Sequence, residues 1–370
     1  MKVLVAGDFC PMDRVSEILE SRDYISIFDE VKTIVERADF SIVNFECPVC
    51  DGENKIEKCG PNLKCSERGI EAIQWAGFNC VSLANNHFFD YGEEGVRKTL
   101  SACKKYSINV VGGGLNLQEA SKTLYKEISG EKLAIINCCE HEFSIATDNT
   151  AGSNPLSSVR QFYAIQEARK NADYVLVIVH GGHEHYQLPS PRMQDLYRFF
   201  IDVGADVVIN HHQHCYSGYE VYKNKPIFYG LGNFCFDNKV KKDSIWNEGY
   251  MVCLSFDKEL KYEVYPYEQC GSYPKVKLLD NHIFDEKIYE LNSIISNREL
   301  LLKAYVEYCM REKNDIMSVF QPFRSRWAFA ARRLKLLPSF MSKRWRIDLY
   351  NYILCESHRD KVAFFLKQKK

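Results

Sequence analysis

No apolar run in this 370-residue chain approaches the ~20 residues that a membrane-spanning helix needs. Charge of one sign is equally scarce: the formal net charge is −1, so bulk charge names no partner. Met1-Lys2-Val3-Leu4-Val5-Ala6-Gly7-Asp8 turns polar too soon for a secretory signal and reads as a first core strand. Nucleotide-binding loops are missing too. Gly112-Gly113-Gly114 lacks the Lys-Ser/Thr of a phosphate-binding loop and the spacing of a dinucleotide fingerprint, and reads as a tight turn. Cysteine, by contrast, is plentiful. The fifteen cysteines are scattered, and Cys80, Cys138 and Cys253 fall inside apolar strand patterns. With no export signal they read as reduced thiols, and the expected location is the cytoplasm. Cys47-Pro48-Val49-Cys50 with Cys59 and Cys65 could form a zinc knuckle, although the second pair is too widely spaced for the common ribbon. A reduced loop folded over a site is the alternative.

Five strand-like segments end alike. Residues 205–210 form an apolar, β-branched run that stops at His211-His212-Gln213-His214. It reads as a buried strand of an α/β sheet, and such folds keep their chemistry at the C-terminal mouths of their strands. Side chains alternate along an extended backbone, so His212 and His214 should share one face and His211 should point the other way. Neutral imidazoles are metal ligands; solvated histidines in a polar loop are the alternative. Residues 3–6 end in Gly7-Asp8, a carboxylate placed either for a metal or for capping the next helix. Residues 40–43 end in Asn44 and Glu46. Residues 79–84 deliver Asn85, Asn86, His87 and Asp90, in which an amide oxygen can ligate a hard cation and the imidazole can act as acid or base. Residues 173–179 end in His180-Gly181-Gly182-His183-Glu184-His185, where the glycine pair permits close backbone approach. His141 and Glu142 follow another strand, over 132–137, at the rim of such a site. One polar strand end is ordinary. Asp8, Asn44/Glu46, Asn86/His87, His180 and His212/His214 together point to a metal centre at one sheet edge.

The blocks Gly7-Asp8, Asn44-Phe45-Glu46, Ser82-Leu83-Ala84-Asn85-Asn86-His87 with Asp90-Tyr91-Gly92, His180-Gly181-Gly182-His183-Glu184, His211-His212-Gln213-His214, and Lys225-Pro226-Ile227 with Leu231-Gly232-Asn233-Phe234 occur in this order. They resemble the bacterial capsule-biosynthesis family CapA, also called the poly-γ-glutamate synthesis family, of the calcineurin-like metallophosphatase superfamily. The resemblance spans about residues 1–270.

This resemblance implies a four-layer α/β/β/α metallophosphatase-like sandwich over residues 1–275, with a helical, basic extension over 276–370. By position, Asp8, Glu46, Asn86, His180, His212 and His214 would be ligands of two divalent metals, with Asn44 or Glu46 where the superfamily has a bridging Asp. Mn, Fe and Zn all suit such a donor set. His87 would protonate a leaving group and Asp90 would orient it, with Glu184, His183 and Asn233 contacting substrate. Three positions depart from the superfamily pattern: Cys10 where a His is expected, the Asn44/Glu46 replacement, and Phe88 after His87. Gly182 stands where relatives commonly carry Trp, and should open space near the site. The expected activity is metal-dependent hydrolysis in capsule or cell-surface polymer biosynthesis, with a phosphoester favoured over a glutamyl amide. A non-catalytic polymer- or synthase-binding assembly protein is the alternative, and a nucleotide phosphodiesterase a third.

From about residue 280 the pattern becomes helical, with Ser296 and Glu299 as a capping box for a second helix. Residues 323–370 hold thirteen Lys or Arg against Asp348, Glu356 and Asp360, interleaved with Trp327, Phe329, Phe340, Trp345, Tyr350, Phe364 and Phe365. Such a segment can pack as a cap, lie on an anionic membrane, or hold a polyanion or a capsule synthase. No nucleic-acid module is recognisable.

Overall fold

The structure is a computed structural model, and it describes every residue except 239, 241–243, 258, 319, 321–324, 335, 337–341, 355–357, 359–360, 363–365 and 367–370. In chain order the strands are β1 (Lys2–Phe9), β2 (Phe40–Phe45), β3 (Cys80–Ser82), β4 (Asn109–Val111), β5 (Gly113–Gly114), β6 (Leu124–Ile128), β7 (Glu131–Cys139), β8 (Gly152–Ser153), β9 (Tyr174–His180), β10 (Val207–His211), β11 (Tyr219–Tyr222), β12 (Lys225–Phe228), β13 (Asn233–Cys235), β14 (Glu248–Ser255), β15 (Lys261–Gln269) and β16 (Val276–Leu278). The helices are α1 (Asp13–Ser21), α2 (Tyr24–Glu36), α3 (Arg68–Trp75), α4 (Gly92–Lys105), α5 (Leu117–Ala120), α6 (Ser158–Asn171), α7 (Pro191–Asp202), α8 (Asn281–Ser296), α9 (Arg298–Ser318), α10 (Arg326–Arg333) and α11 (Lys343–Leu354).

One sheet runs β16-β15-β14-β1-β2-β3-β4, with β13 also pairing to β1. Strands β1 to β4 are parallel, and the expected 251–267 hairpin is β14–β15, laid antiparallel beside β1. The second sheet runs β11-β12-β10-β9-β7-β6, with a parallel centre of β7, β9, β10 and β12. Alternation divides each strand between two cores. Val3, Val5 and Ile42 face Ile135, Leu176, Ile178, Val207 and Ile209 between the sheets. Leu4, Ala6 and Val43 point outward onto Val15, Phe28, Val31 and Ile73 of α1, α2 and α3. Helices α6 and α7 cover the outer face of the second sheet. The result is the expected four-layer α/β/β/α sandwich. Burial on both faces explains why these strands read as unbroken apolar runs.

β1 sits at the centre of the first sheet, and its end is fixed by a close approach. The Asp8 amide donates to the Gly232 carbonyl at 3.0 Å, and a Cβ on Gly7 would collide with that same carbonyl. Glycine is therefore required where β1 meets the turn before β13.

Several local details differ from the sequence reading. Gly113–Gly114 is a short strand paired with Gly152–Ser153, and the turn is confined to Gly112 at φ +86°. The cap of α9 is Asn297, whose Oδ1 accepts from the Glu299 and Leu300 amides, while the Ser296 hydroxyl donates back to Ser293. The compact units are Met1–Leu301 and Leu302–Lys370, so the division falls later than residue 275. Its cause is α8, which packs against β11 and β15, with Phe284 and Ile288 in the inter-sheet core. Within the second unit α10 and α11 are helical as expected, and Trp327 and Tyr350 are exposed. Phe323, Arg324, Lys335, Phe340, Glu356, Arg359, Asp360, Phe364, Phe365, Lys367, Lys369 and Lys370 lie outside the described residues. Among the described residues no helix is long and apolar enough to cross a membrane.

Gly7→Ala is expected to destabilise the first unit by about 1–3 kcal/mol, the usual cost of overpacking, because a backbone carbonyl cannot swing aside. Urea denaturation measures it, and an unchanged midpoint would contradict the close approach.

Candidate metal centre

The parallel strands of both sheets bring their C-terminal ends to one edge. β1 supplies Asp8, β2 supplies Asn44 and, one residue beyond it, Glu46; β9 ends on His180, and β10 on His211. His212 and His214 follow in the turn. These side chains are buried, from 0% exposure for Glu46 to 6% for His212. Around His180 Nε2 lie Asn86 Oδ1 at 3.0 Å, His212 Nδ1 at 3.1 Å and Glu46 Oε1 at 3.4 Å. Glu46 Oε1 is also 3.7 Å from His214 Nε2, and Asp8 Oδ2 is 3.7 Å from His214 Nδ1. Two clusters that could hold a cation result, Glu46–His180–His212 and Asp8–Glu46–His214, with Glu46 in both.

The electrostatics are those of a donor set short of positive charge. Burial pushes the Glu46 carboxyl well above its ordinary range, and the charges of Asp8 and Glu184 add to this. Neither Glu46 oxygen accepts a hydrogen bond among the described residues. Burial raises Asp8 as well, but the His211 contact and the charges of His180 and His214 outweigh it and hold that carboxyl well below the usual range. Burial keeps His180 well below the ordinary imidazole value, with His212 adding to it, and takes His214 down to about 4 against the pull of Asp8. Imidazoles held neutral around an unpartnered carboxylate fit divalent cations.

Asp8, Glu46, Asn86, His180, His212 and His214 are thus brought together, as expected. Asn44 takes a different place. Its Nδ2 donates to Asp8 Oδ1 at 2.7 Å and lies 3.3 Å from His180 Nδ1, while its Oδ1 accepts from Ser82, so it orients ligands. Asn233 does not face a substrate surface. It is fully buried, its Oδ1 lies 2.9 Å from His214 Nδ1, and its Nδ2 donates to the carbonyls of His214 and Trp246. His211 is not turned away, because the extended backbone ends there: φ is +95° at His212 and +53° at His214. Its Nδ1 lies 3.3 Å from Asp8 Oδ1. Such left-handed backbone at non-glycine residues is costly and concentrates at functional sites.

His87 and Asp90 form a buried dyad, Nδ1 to Oδ2 at 2.7 Å. Glu184 is exposed at the mouth; burial raises its carboxyl, but the charges of His214, His212, His185 and His87 bring it below the usual range. His183 is half-buried beside it, its ring 6.4 Å from that of Tyr186. Glu142 reaches the rim, accepting from Asn86 Nδ2 at 3.4 Å. Gly182 opens no space, since a Cβ there would lie 2.9 Å from Met193 Sδ. Cys10 is buried against Cys47, and burial raises its thiol to about 11. Among the described residues no cation-compatible cluster contains cysteine; Cys47, Cys50 and Cys65 are buried and Cys59 is exposed. Lys58 leaves no signal in the sequence: it lies in an irregular loop without periodicity, yet its ammonium pairs with Asp90.

Residues 2–238 match the family model described as bacterial capsule synthesis protein PGA_cap. The chain belongs to this family. It is 33% identical to the capsule biosynthesis protein CapA of Bacillus anthracis over 246 residues, 64% of this chain and 60% of that protein. It is also 33% identical to the PGA biosynthesis protein CapA of Bacillus subtilis over 235 residues, 62% of each. The chain thus spans about three-fifths of the length of these capsule-family relatives. Among solved structures, a 5'-nucleotidase precursor from Thermus thermophilus aligns over 78% of this chain and 57% of its own, at 15% identity and a TM-score of 0.42, a likeness too low to speak to chemistry.

A cation entering the site must displace the proton that burial favours on Glu46, so binding releases a proton and weakens as pH falls. Occupancy after equilibrium dialysis, read by metal mass spectrometry, is expected to fall as pH is lowered. Glu46→Gln should weaken binding about 10–100-fold or more and flatten that dependence. A flat wild-type profile would contradict the assignment.

Proposed function

We propose that this capsule-family chain is a divalent-cation-dependent hydrolase in capsule or poly-γ-glutamate biosynthesis, cleaving a phosphoester of a polymer precursor or related anionic substrate. The observation that carries the reading is Glu46, a buried carboxylate without a hydrogen-bond partner, shared between two clusters of metal-type donors. Two cations, drawn from Mn, Fe or Zn, suit the mixed histidine, carboxylate and amide donors. When bound, they would supply Lewis acidity to a phosphoryl oxygen and lower the pKa of an attacking water.

The chain's own groups supply the rest. Asp8 and Glu46 bind from the first sheet, and His180, His212 and His214 from the second. Asn44 fixes Asp8, and Asn233 fixes His214, so that each ligand keeps one orientation. Asp90 accepts the Nδ1 proton of His87, so Nε2 is the nitrogen that takes up a second proton and, from the imidazolium, gives it to the departing oxygen. Glu184 stands at the mouth beside His183, where an incoming substrate would meet both.

The test is turnover of bis(p-nitrophenyl) phosphate by protein purified without chelators and loaded with Mn. Wild type should turn over. His87→Ala should lose about 10²–10⁴-fold in kcat while retaining its metal. Asp8→Ala and His212→Ala should lose metal and activity together. A metal-free wild type that stays inactive after reconstitution would defeat the hydrolase reading and favour a polymer-binding assembly role.

A further inference from the structure

The loop between β2 and α3 leaves the metal cluster directly after Glu46 and crosses back over the His87–Asp90 turn. The Ile56 amide donates to the Asp90 carbonyl at 3.0 Å, and Asn62 Nδ2 donates to the same oxygen at 3.1 Å. The Leu63 amide donates to Asp90 Oδ2 at 2.6 Å. Among these contacts sits Lys58, a cation whose side chain is only 2% exposed. Its Nζ pairs with Asp90 Oδ1 and lies 3.1 Å from His87 Nδ1.

The donor inventory makes this arrangement directional. An ammonium only donates, and Asp90 only accepts when ionised. His87 Nδ1 lies 2.7 Å from Asp90 Oδ2, so its hydrogen bond goes to the carboxylate and the proton sits on Nδ1. A buried carboxylate is expensive unless a charge partner and further hydrogen bonds satisfy it. Lys58 takes one oxygen; the Leu63 amide and His87 take the other. Asp90 is then held at both oxygens and cannot rotate away from the imidazole.

We propose that Lys58 is a positioning residue for His87. By anchoring Asp90 it holds the His87 ring in the Nδ1–H tautomer with Nε2 toward the metal clusters, and so makes the 46–67 loop part of the reactive site. Its kinetic consequence rests on the hydrolase reading above; its structural consequence does not.

The experiment uses the full chain as wild type, Lys58→Met and Lys58→Arg, with Lys58→Gln as a second truncation should the apolar side chain not fold. With Mn and bis(p-nitrophenyl) phosphate, Lys58→Met should lower kcat about 10–100-fold with KM within about twofold, and Lys58→Arg should recover most of it. Long-range ¹H–¹⁵N spectra of the zinc-loaded protein, with His87→Ala for assignment, should show the Nδ1–H tautomer of His87 in wild type and Lys58→Arg, and a tautomer mixture in Lys58→Met. A raised KM with unchanged kcat would make Lys58 a substrate contact and overturn the proposal. An inactive wild type would defeat the hydrolase reading alone; the spectra would then decide Lys58, and an unchanged tautomer in Lys58→Met would overturn it.

Discussion

The constraint on which the rest depends is a pair of carboxylates, Asp8 and Glu46, buried to 1% and 0% exposure. Moving a carboxylate out of water costs several kcal/mol even after relaxation. Asp8 recovers part of that through Asn44, the His212 amide and His211; Glu46 recovers none by hydrogen bonding. Burial holds His180 and His214 toward the neutral form, so these two do not neutralise Glu46. A bound cation would balance this cluster in place of the proton that burial favours on Glu46, and cation binding would then belong to the energetics of the fold as well as to its chemistry.

The sandwich makes that burial possible. Each ligand comes from the end of a strand that is apolar on both faces, and the layer between the sheets fixes where those ends meet. The orienting partners are mainly amides. Asn44 serves Asp8 and lies against His180, and Asn233 serves His214. Asn210 bonds the carbonyls of Gly181, His211 and Tyr229, which ties the ends of the histidine-bearing strands together. An uncharged side chain that both donates and accepts can position a carboxylate or an imidazole without changing the charge of the site.

This explains what can be read in the sequence and what cannot. Apolar runs ending in Asp8, Glu46, His180 and His212 reveal both the layers and the candidate ligands, because strand burial and strand-end chemistry leave a local pattern. The asparagines are ambiguous: the residue type that ligates is also the type that orients, and only contacts separate Asn86 from Asn44 and Asn233. Alternation carries His211 to the side of Val207 and Ile209, toward Asp8, but it cannot place His212 and His214, which lie beyond the extended backbone. Lys58 leaves no pattern at all. It comes from a loop, and its significance arises from Asp90, 32 positions further along the chain.

One departure from the expected donor pattern is Cys10, two residues after Asp8. Cys10 stands where an imidazole is expected, and its thiol is raised by burial and turned to Cys47, so it offers no thiolate. There His214 lies 3.7 Å from both Asp8 and Glu46, with His211 3.3 Å from Asp8. Across Glu46, His180 has three donor atoms within 3.4 Å of a single nitrogen. The Glu46–His180–His212 cluster is the denser and richer in nitrogen, and Asp8–Glu46–His214 is the more anionic. By ligand chemistry the two halves differ in the cation they favour: imidazole draws the borderline metals, and a carboxylate-weighted set tolerates harder ones. Glu46 belongs to both, so a cation that settles in one half lowers the negative charge left for the other.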